Sequence, residues 1–103
     1  MPVVKYSAGE LAVNESSDLV IPWRNGTTSK VVFLGSQTSC TCVGLTNPEL
    51  SADPQEQVEL NVNVRPRKPG LFHQRIVCFV DHPHQDRLTL DVIANAVLPH
   101  REN

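Results

Sequence analysis

Long apolar runs are missing from this sequence. No stretch approaches the ~18 consecutive apolar residues that a membrane span needs, and the longest runs are short ones such as Val31-Val32-Phe33-Leu34. An excess of one charge sign is also missing. Nine Lys and Arg against eleven Asp and Glu leave a net charge of −2, which exerts no general pull on nucleic acid or anionic lipid. The largest basic cluster, Arg65-Pro66-Arg67-Lys68, has too little charge and no interleaved aromatics for phosphate or nucleic-acid binding, and reads as a solvated turn. Aromatics are few: one Trp, one Tyr and three Phe. Sugar-binding sandwiches show several exposed aromatics, whereas Trp23 shares its phase with Leu19 and Ile21 and reads as core. Cysteine is scarce and odd in number: with three, at least one lies outside any internal disulfide, and a disulfide scaffold is excluded. No glycine-rich phosphate loop, carboxylate pair or nucleophile with a base stands out. Ser36 and Ser39 have no local partner set, and Asp81, His82 and Asp86 share a loop as polar residues do in solvated turns. An enzyme is therefore not expected.

What the chain does have is period-two alternation. In residues 58 to 64, Val58, Leu60, Val62 and Val64 are apolar, while Glu59, Asn61 and Asn63 are polar. Side chains alternate faces along a strand, so the segment has one buried and one wet face. Residues 88 to 96 repeat the pattern, with Leu88, Leu90, Val92, Ala94 and Ala96 facing in and Thr89, Asp91 and Asn95 facing out. Leu19, Ile21 and Trp23 mark a third strand, and Pro22, which lacks a ladder donor, places an edge or a bulge there. Residues 30 to 35 and 71 to 80 are more hydrophobic and suit central strands, and residues 8 to 13 and 41 to 46 are weaker candidates. Turn chemistry separates them at Asn25-Gly26, Gly35-Ser36, Asn47-Pro48, Asp53-Pro54, Pro69-Gly70 and His82-Pro83.

About seven short antiparallel strands with frequent turns predict an all-β, immunoglobulin-like β-sandwich. The sandwich is expected over residues 7–97, with flexible tails at 1–6 and 98–103. Lettered A to G in chain order, the strands place the B–C, D–E and F–G loops at one end and the A–B, C–D and E–F loops at the other.

Ser39-Cys40-Thr41-Cys42 is the most specific local motif. Here the sequence resembles a bacterial domain family of unknown function with a Ser-Cys-Gly-Cys-Thr signature, itself similar to the Hydin-like (ASH) and major-sperm-protein/PapD-like immunoglobulin folds. Thr41 stands where that family has glycine and Val43 where it has threonine, and the turn before strand E lacks the usual glycine. The resemblance otherwise runs over nearly the whole chain: Asn25-Gly26 after strand B, Asp53-Pro54-Gln55 before strand E, Pro69-Gly70 before strand F, Asp81-His82-Pro83 after it, and the closing Ala94-Asn95-Ala96-Val97. It implies a non-catalytic module for protein–protein interaction or spacing within a larger bacterial protein, with a protein partner, no nucleic acid and no membrane insertion. It also implies a periplasmic or cell-envelope setting. The N-terminus, Met1 to Tyr6, lacks the apolar segment of a signal peptide, so either the protein stays in the cytoplasm or the chain is an excerpt of a longer one, and the resemblance implies the second.

Two cysteines at i and i+2 on an extended strand point to one side. Cys40 and Cys42 could share a soft metal such as Cu(I), or Zn(II) with further ligands. His73, at the start of strand F, is the candidate third ligand; His82 and His84 belong to the opposite end. No other cofactor is expected. The competing readings are a partly buried pair that fills a strand corner and a labile, redox-active bridge. Cys78 shares the inward phase of Ile76 and Val80 and lies ~20 Å along the strand from the pair, beyond disulfide reach, so it reads as a free core thiol. Val77, Phe79 and Ile93 fall on the outward phase of strands F and G and form a candidate interaction patch. Asn14-Glu15-Ser16 and Asn25-Gly26-Thr27 match the glycosylation sequon, which a bacterial chain carries by chance.

Overall fold

The computed structural model describes residues 3–47 and 49–99. Eight strands form there: β1 (Val3–Ala12), β2 (Ser17–Arg24), β3 (Val31–Thr38), β4 (Val43–Leu45), β5 (Ser51–Ala52), β6 (Gln57–Val64), β7 (Gly70–Asp81) and β8 (Arg87–Val97). They make two sheets, one ordered β1-β8-β7-β3-β5 and one ordered β2-β6-β4. The fold is an all-β, immunoglobulin-like sandwich, as the alternation predicts. The strand beyond the expected seven is β5, two residues paired with Val31 and Val32 on the edge of β3.

The core lies between the inward faces that alternation creates. Ile21, Leu60, Val62 and Val64 from the smaller sheet meet Ile76, Cys78, Val80, Leu88, Leu90 and Val92 from the larger. Val58, expected inside, is only half-buried. Trp23 is likewise half-buried and meets the Phe33 ring edge-on, centroids 5.7 Å apart.

Pro22 explains the edge. Thr46 N–H donates to the Asn61 carbonyl at 2.8 Å and Asn61 N–H donates to Asn47 Oδ1 at 2.8 Å, so the Asn61 backbone is spent on the β4 side. Its β2 partner is Val20. That pair therefore makes no ladder bonds, and neither does Pro22–Glu59 two residues on. The N–H that proline lacks falls on the free edge of the sheet, where no ladder bond is lost.

Residues 3–6, expected as a tail, form the start of β1 instead. Val4 and Tyr6 pack against the core, and β1 pairs in parallel with β8 from Val3–Thr89 to Ala12–Val97. The register shifts between Ser7 and Glu10. Gly9, at φ 72°, supplies the left-handed backbone this bulge uses. The bulge switches the inward phase from Val4 and Tyr6 to Leu11, which hides the strand from a strict period of two. Of the other expected tail residues, 98–99 follow β8 outside any strand, and 1–2 and 100–103 lie outside the described residues.

Leu60 is fully buried at the centre of β6 and Glu59 beside it is exposed. Leu60→Ala is expected to lower the unfolding free energy by about 2–5 kcal/mol, and Glu59→Ala by less than about 0.5 kcal/mol, in urea titrations followed by Trp23 fluorescence.

Candidate functional site

Three places on the sandwich concentrate polar chemistry: the loop end that holds Asn25, the opposite end that holds the cysteine pair, and the outer face of β7 and β8.

At the first, Asn25 is completely buried. Its Nδ2 lies 2.9 Å from the Ser29 carbonyl, 3.0 Å from that of Ala52 and 3.2 Å from that of Asp53. Its Oδ1 accepts from Thr27 N–H at 3.1 Å and from the Thr27 hydroxyl at 2.6 Å. The His82 ring continues the chain. Its Nδ1 accepts from His84 N–H at 3.1 Å, so the ring proton sits on Nε2 and is donated to Thr27 Oγ1 at 3.0 Å. The β2–β3, β5–β6 and β7–β8 loops are thereby fastened together. Sequence reasoning missed this role, since an Asn-Gly turn signals a bend rather than burial. The amide of the Asn25 sequon is sealed inside the fold and inaccessible to glycosylation. Asn25→Ala leaves the buried Ala52 carbonyl and the part-buried Ser29 and Asp53 carbonyls without this donor and is expected to destabilise the domain by at least about 2 kcal/mol in chemical denaturation. Asn25→Asp, which sets a carboxylate among those carbonyl oxygens, is expected to be at least as damaging.

At the opposite end, Cys40 and Cys42 are joined in a disulfide. The segment is not the extended strand expected: a turn brings Val43 N–H to the Cys40 carbonyl at 3.4 Å. Cys42 N–H donates to Cys40 Sγ at 3.1 Å, and Arg67 Nη2 donates to Thr41 Oγ1 at 3.2 Å. A pocket of about 190 Å³ opens beside the pair, bounded by Arg67, Lys68, Leu71 and Phe72, with Gln74 at its side. His73 is not brought to the cysteines. Phe72, Ile76 and Cys78 take the inward face of β7, so His73 points outward, where its Nε2 lies 3.7 Å from Asp91 Oδ2. Among the described residues no three His, Cys, Asp or Glu side chains gather as a metal-ligand set. Cys78 is free and fully buried, and burial pushes its thiol up to about 11.

On the outer face, pairing places Phe79 beside Arg87, Val77 beside Thr89, Arg75 beside Asp91 and His73 beside Ile93. Val77, Phe79 and Ile93 are half-exposed. β1 extends the sheet next to β8 rather than crossing this face. The patch is not continuous apolar surface: the Arg75–Asp91 row separates Val77 from Ile93, and the Arg87 guanidinium lies 6.0 Å from the Phe79 ring centroid. Asp91, expected to be exposed by its outward phase, has a side chain only 5% exposed. Its neighbours across the strand cover it, and Arg75 Nε donates to its Oδ1 at 2.9 Å. That hydrogen bond, with the charges of Arg75 and His73, holds the Asp91 carboxyl below the usual carboxylate range against the opposing effect of burial. A carboxylate whose folded pKa is depressed adds stability above its unfolded value of about 3.9, and this is lost as pH falls through the folded value. Asp91→Asn is therefore expected to flatten the decline of Tm on acidification below about pH 4, measured by circular dichroism against wild type.

No protein-family model matches the chain, and no characterised protein matches it in sequence. Solved structures do match its shape. One is a protein of unknown function from Porphyromonas gingivalis W83, at TM-score 0.71 and 15% identity over 89% of this chain and 44% of that one. Another is the ASH/PapD-like domain 7 of human CEP192, at TM-score 0.61 and 10% identity over 93% of this chain and 82% of that one. The Vibrio cholerae VesB protease matches at TM-score 0.68 and 9% identity over 89% of this chain, which spans 30% of the protease. At such identities the likeness is one of fold, and it defines the class: an immunoglobulin-like sandwich similar to ASH/PapD-like domains. No helix among the described residues is long and apolar enough to cross a membrane.

Proposed function

We propose that this chain is a non-catalytic immunoglobulin-like module that docks, through the outer face of β7 and β8, on a neighbouring domain of the same larger bacterial protein. The observation that carries the reading is the outward-facing but buried Asp91, which fixes Arg75 between the Val77 and Ile93 rows. Arginine and aromatic side chains dominate the energetics of protein interfaces. Side chains ordered before binding lose less freedom on docking. Phe79 under Arg87 adds an aromatic of the same kind. Support for a place within a longer chain comes from the matched structures, two of which carry this fold over only 30% and 44% of their length.

The face is small. A few hundred Å² at about 25 cal/mol per Å² supports domain docking and not a tight obligate dimer. Hydroxyl-radical footprinting of the isolated domain and of the parent protein tests the proposal. Phe79 is expected to be labelled in the isolated domain and several-fold protected in the parent. Phe79→Asp is expected to remove the protection of Val77 and Ile93 while leaving the Tm of the isolated domain within a few degrees. Equal labelling of Phe79 in the two contexts refutes it.

A further inference from the structure

A disulfide steadies a fold mainly by closing a loop in the unfolded chain, and the gain shrinks with the loop. Cys40 and Cys42 are separated by Thr41 alone, so their bridge restrains almost nothing. The segment is held on both sides without it. Ser39 N–H donates to the Arg75 carbonyl at 3.1 Å, Arg65 N–H donates to the Cys42 carbonyl at 2.7 Å, and Val43 pairs with Val64. As a staple the bridge is redundant.

Its surroundings suit a reactive pair. Cys40 is half-exposed and Cys42 is 6% exposed, so one residue is reachable and the other sheltered. Arg67 and Lys68 bound the adjoining pocket, and cations beside a sulfur favour its thiolate. Arg67 is tethered to Thr41, the residue inside the small ring. The Cys42 N–H already directed at Cys40 Sγ is a second group that favours negative charge there. Leu71, 81% exposed, forms an apolar lip over the opening. The third thiol, Cys78, is sealed in the core and has no path to this exchange.

We propose that Cys40–Cys42 is a redox-active couple that exchanges with an external dithiol docked in this pocket. In the reductive direction one thiolate of the dithiol attacks Cys40 Sγ. A sulfur–sulfur bond forms there, the Cys40–Cys42 bond breaks, and its electron pair leaves on Cys42 Sγ, in the pocket that Arg67 and Lys68 also line. The second thiolate of the dithiol then attacks its own sulfur in the mixed disulfide and releases Cys40 as a thiolate. The protein gains two electrons and, on neutralisation, two protons; the dithiol becomes a disulfide. The reverse sequence oxidises a partner's dithiol. None of the docking residues Val77, Phe79 and Ile93 lines this pocket, so the two proposals stand or fall separately.

The test uses the whole chain with dithiothreitol as the dithiol, then alkylation and peptide mass mapping under native conditions. Cys40 and Cys42 are expected to be reduced and labelled together, and to close again in oxidised dithiothreitol. Cys78 is expected to stay unlabelled until the chain is denatured. The thermal transition is expected to move by no more than a few degrees between the two states. Loss of the cooperative transition on reduction marks a structural bridge and overturns the proposal, as does a pair that reduces only in denaturant. The paired variants separate the two sulfurs. Cys42→Ser, which leaves Cys40 free, is expected to form a mixed disulfide with oxidised glutathione at least about tenfold faster than Cys40→Ser, from the difference in access. Replacing Arg67 and Lys68 together by Gln in the Cys42→Ser chain is expected to shift the pH midpoint of Cys40 alkylation upward. Equal rates in the two cysteine variants, or an unmoved midpoint, overturn the assigned roles.

Discussion

The side-chain amide of Asn25 reaches the carbonyls of Ser29, Ala52 and Asp53 while its oxygen accepts from Thr27. Loops that cross the end of a sandwich carry backbone groups that the sheets do not satisfy, and a buried group left unpaired costs about 1–3 kcal/mol. One planar side chain settles several of these at once, and Thr27 passes the connection to His82 in a third loop. The ends of β3, β5 and β8 are set by where those loops are anchored. The edge pairing of β5 and the start of β8 therefore depend on a residue that touches neither sheet's centre.

The opposite end is built on other lines. There the backbone is satisfied by short bonds between loops distant in sequence, such as Arg65 N–H to the Cys42 carbonyl and Asn14 N–H to the Pro66 carbonyl, each 2.7 Å. Side chains are left free to face solvent, and the basic residues of the β6–β7 turn collect around the cysteine pair. One end is sealed by a satisfied buried amide, and the other keeps an open pocket.

Much of this was legible in the sequence because burial follows strand phase wherever a strand is straight and central. Leu60, Val62 and Val64 in β6, the five inward residues of β8 and Cys78 in β7 are buried as their spacing implies. Pro22 marked an edge because a missing donor is tolerated only there. The separation of His82 from the cysteines followed from counting connections. Phase fails where the backbone departs from a period of two. Gly9 and the bulge around it disguised β1, and Leu34, the extra residue where β3 shifts register against β7, is exposed within an apolar run. Phase also says which face a side chain takes but not what covers it. Asp91 faces outward and is nonetheless buried, because Arg75 and His73 on the adjoining strand close over it. Proximity along the axis joins His73 to the cysteines, but the alternation that buries Phe72 and Ile76 turns His73 to the outer face.

The parallel pairing of β1 with β8 sets how the domain transmits tension. Because the two strands run in the same direction, the start of β1 beside Thr89 and the finish of β8 beside Ala12 lie at opposite ends of the sandwich, roughly 30 Å apart at the rise of an extended strand. A pull on Val3 and Val97 draws the two strands past one another along their length. Their ladder is then loaded in shear, with many hydrogen bonds sharing the force, instead of being peeled open one bond at a time. Joined in series, such domains would make a string that resists stretching through this one strand pair.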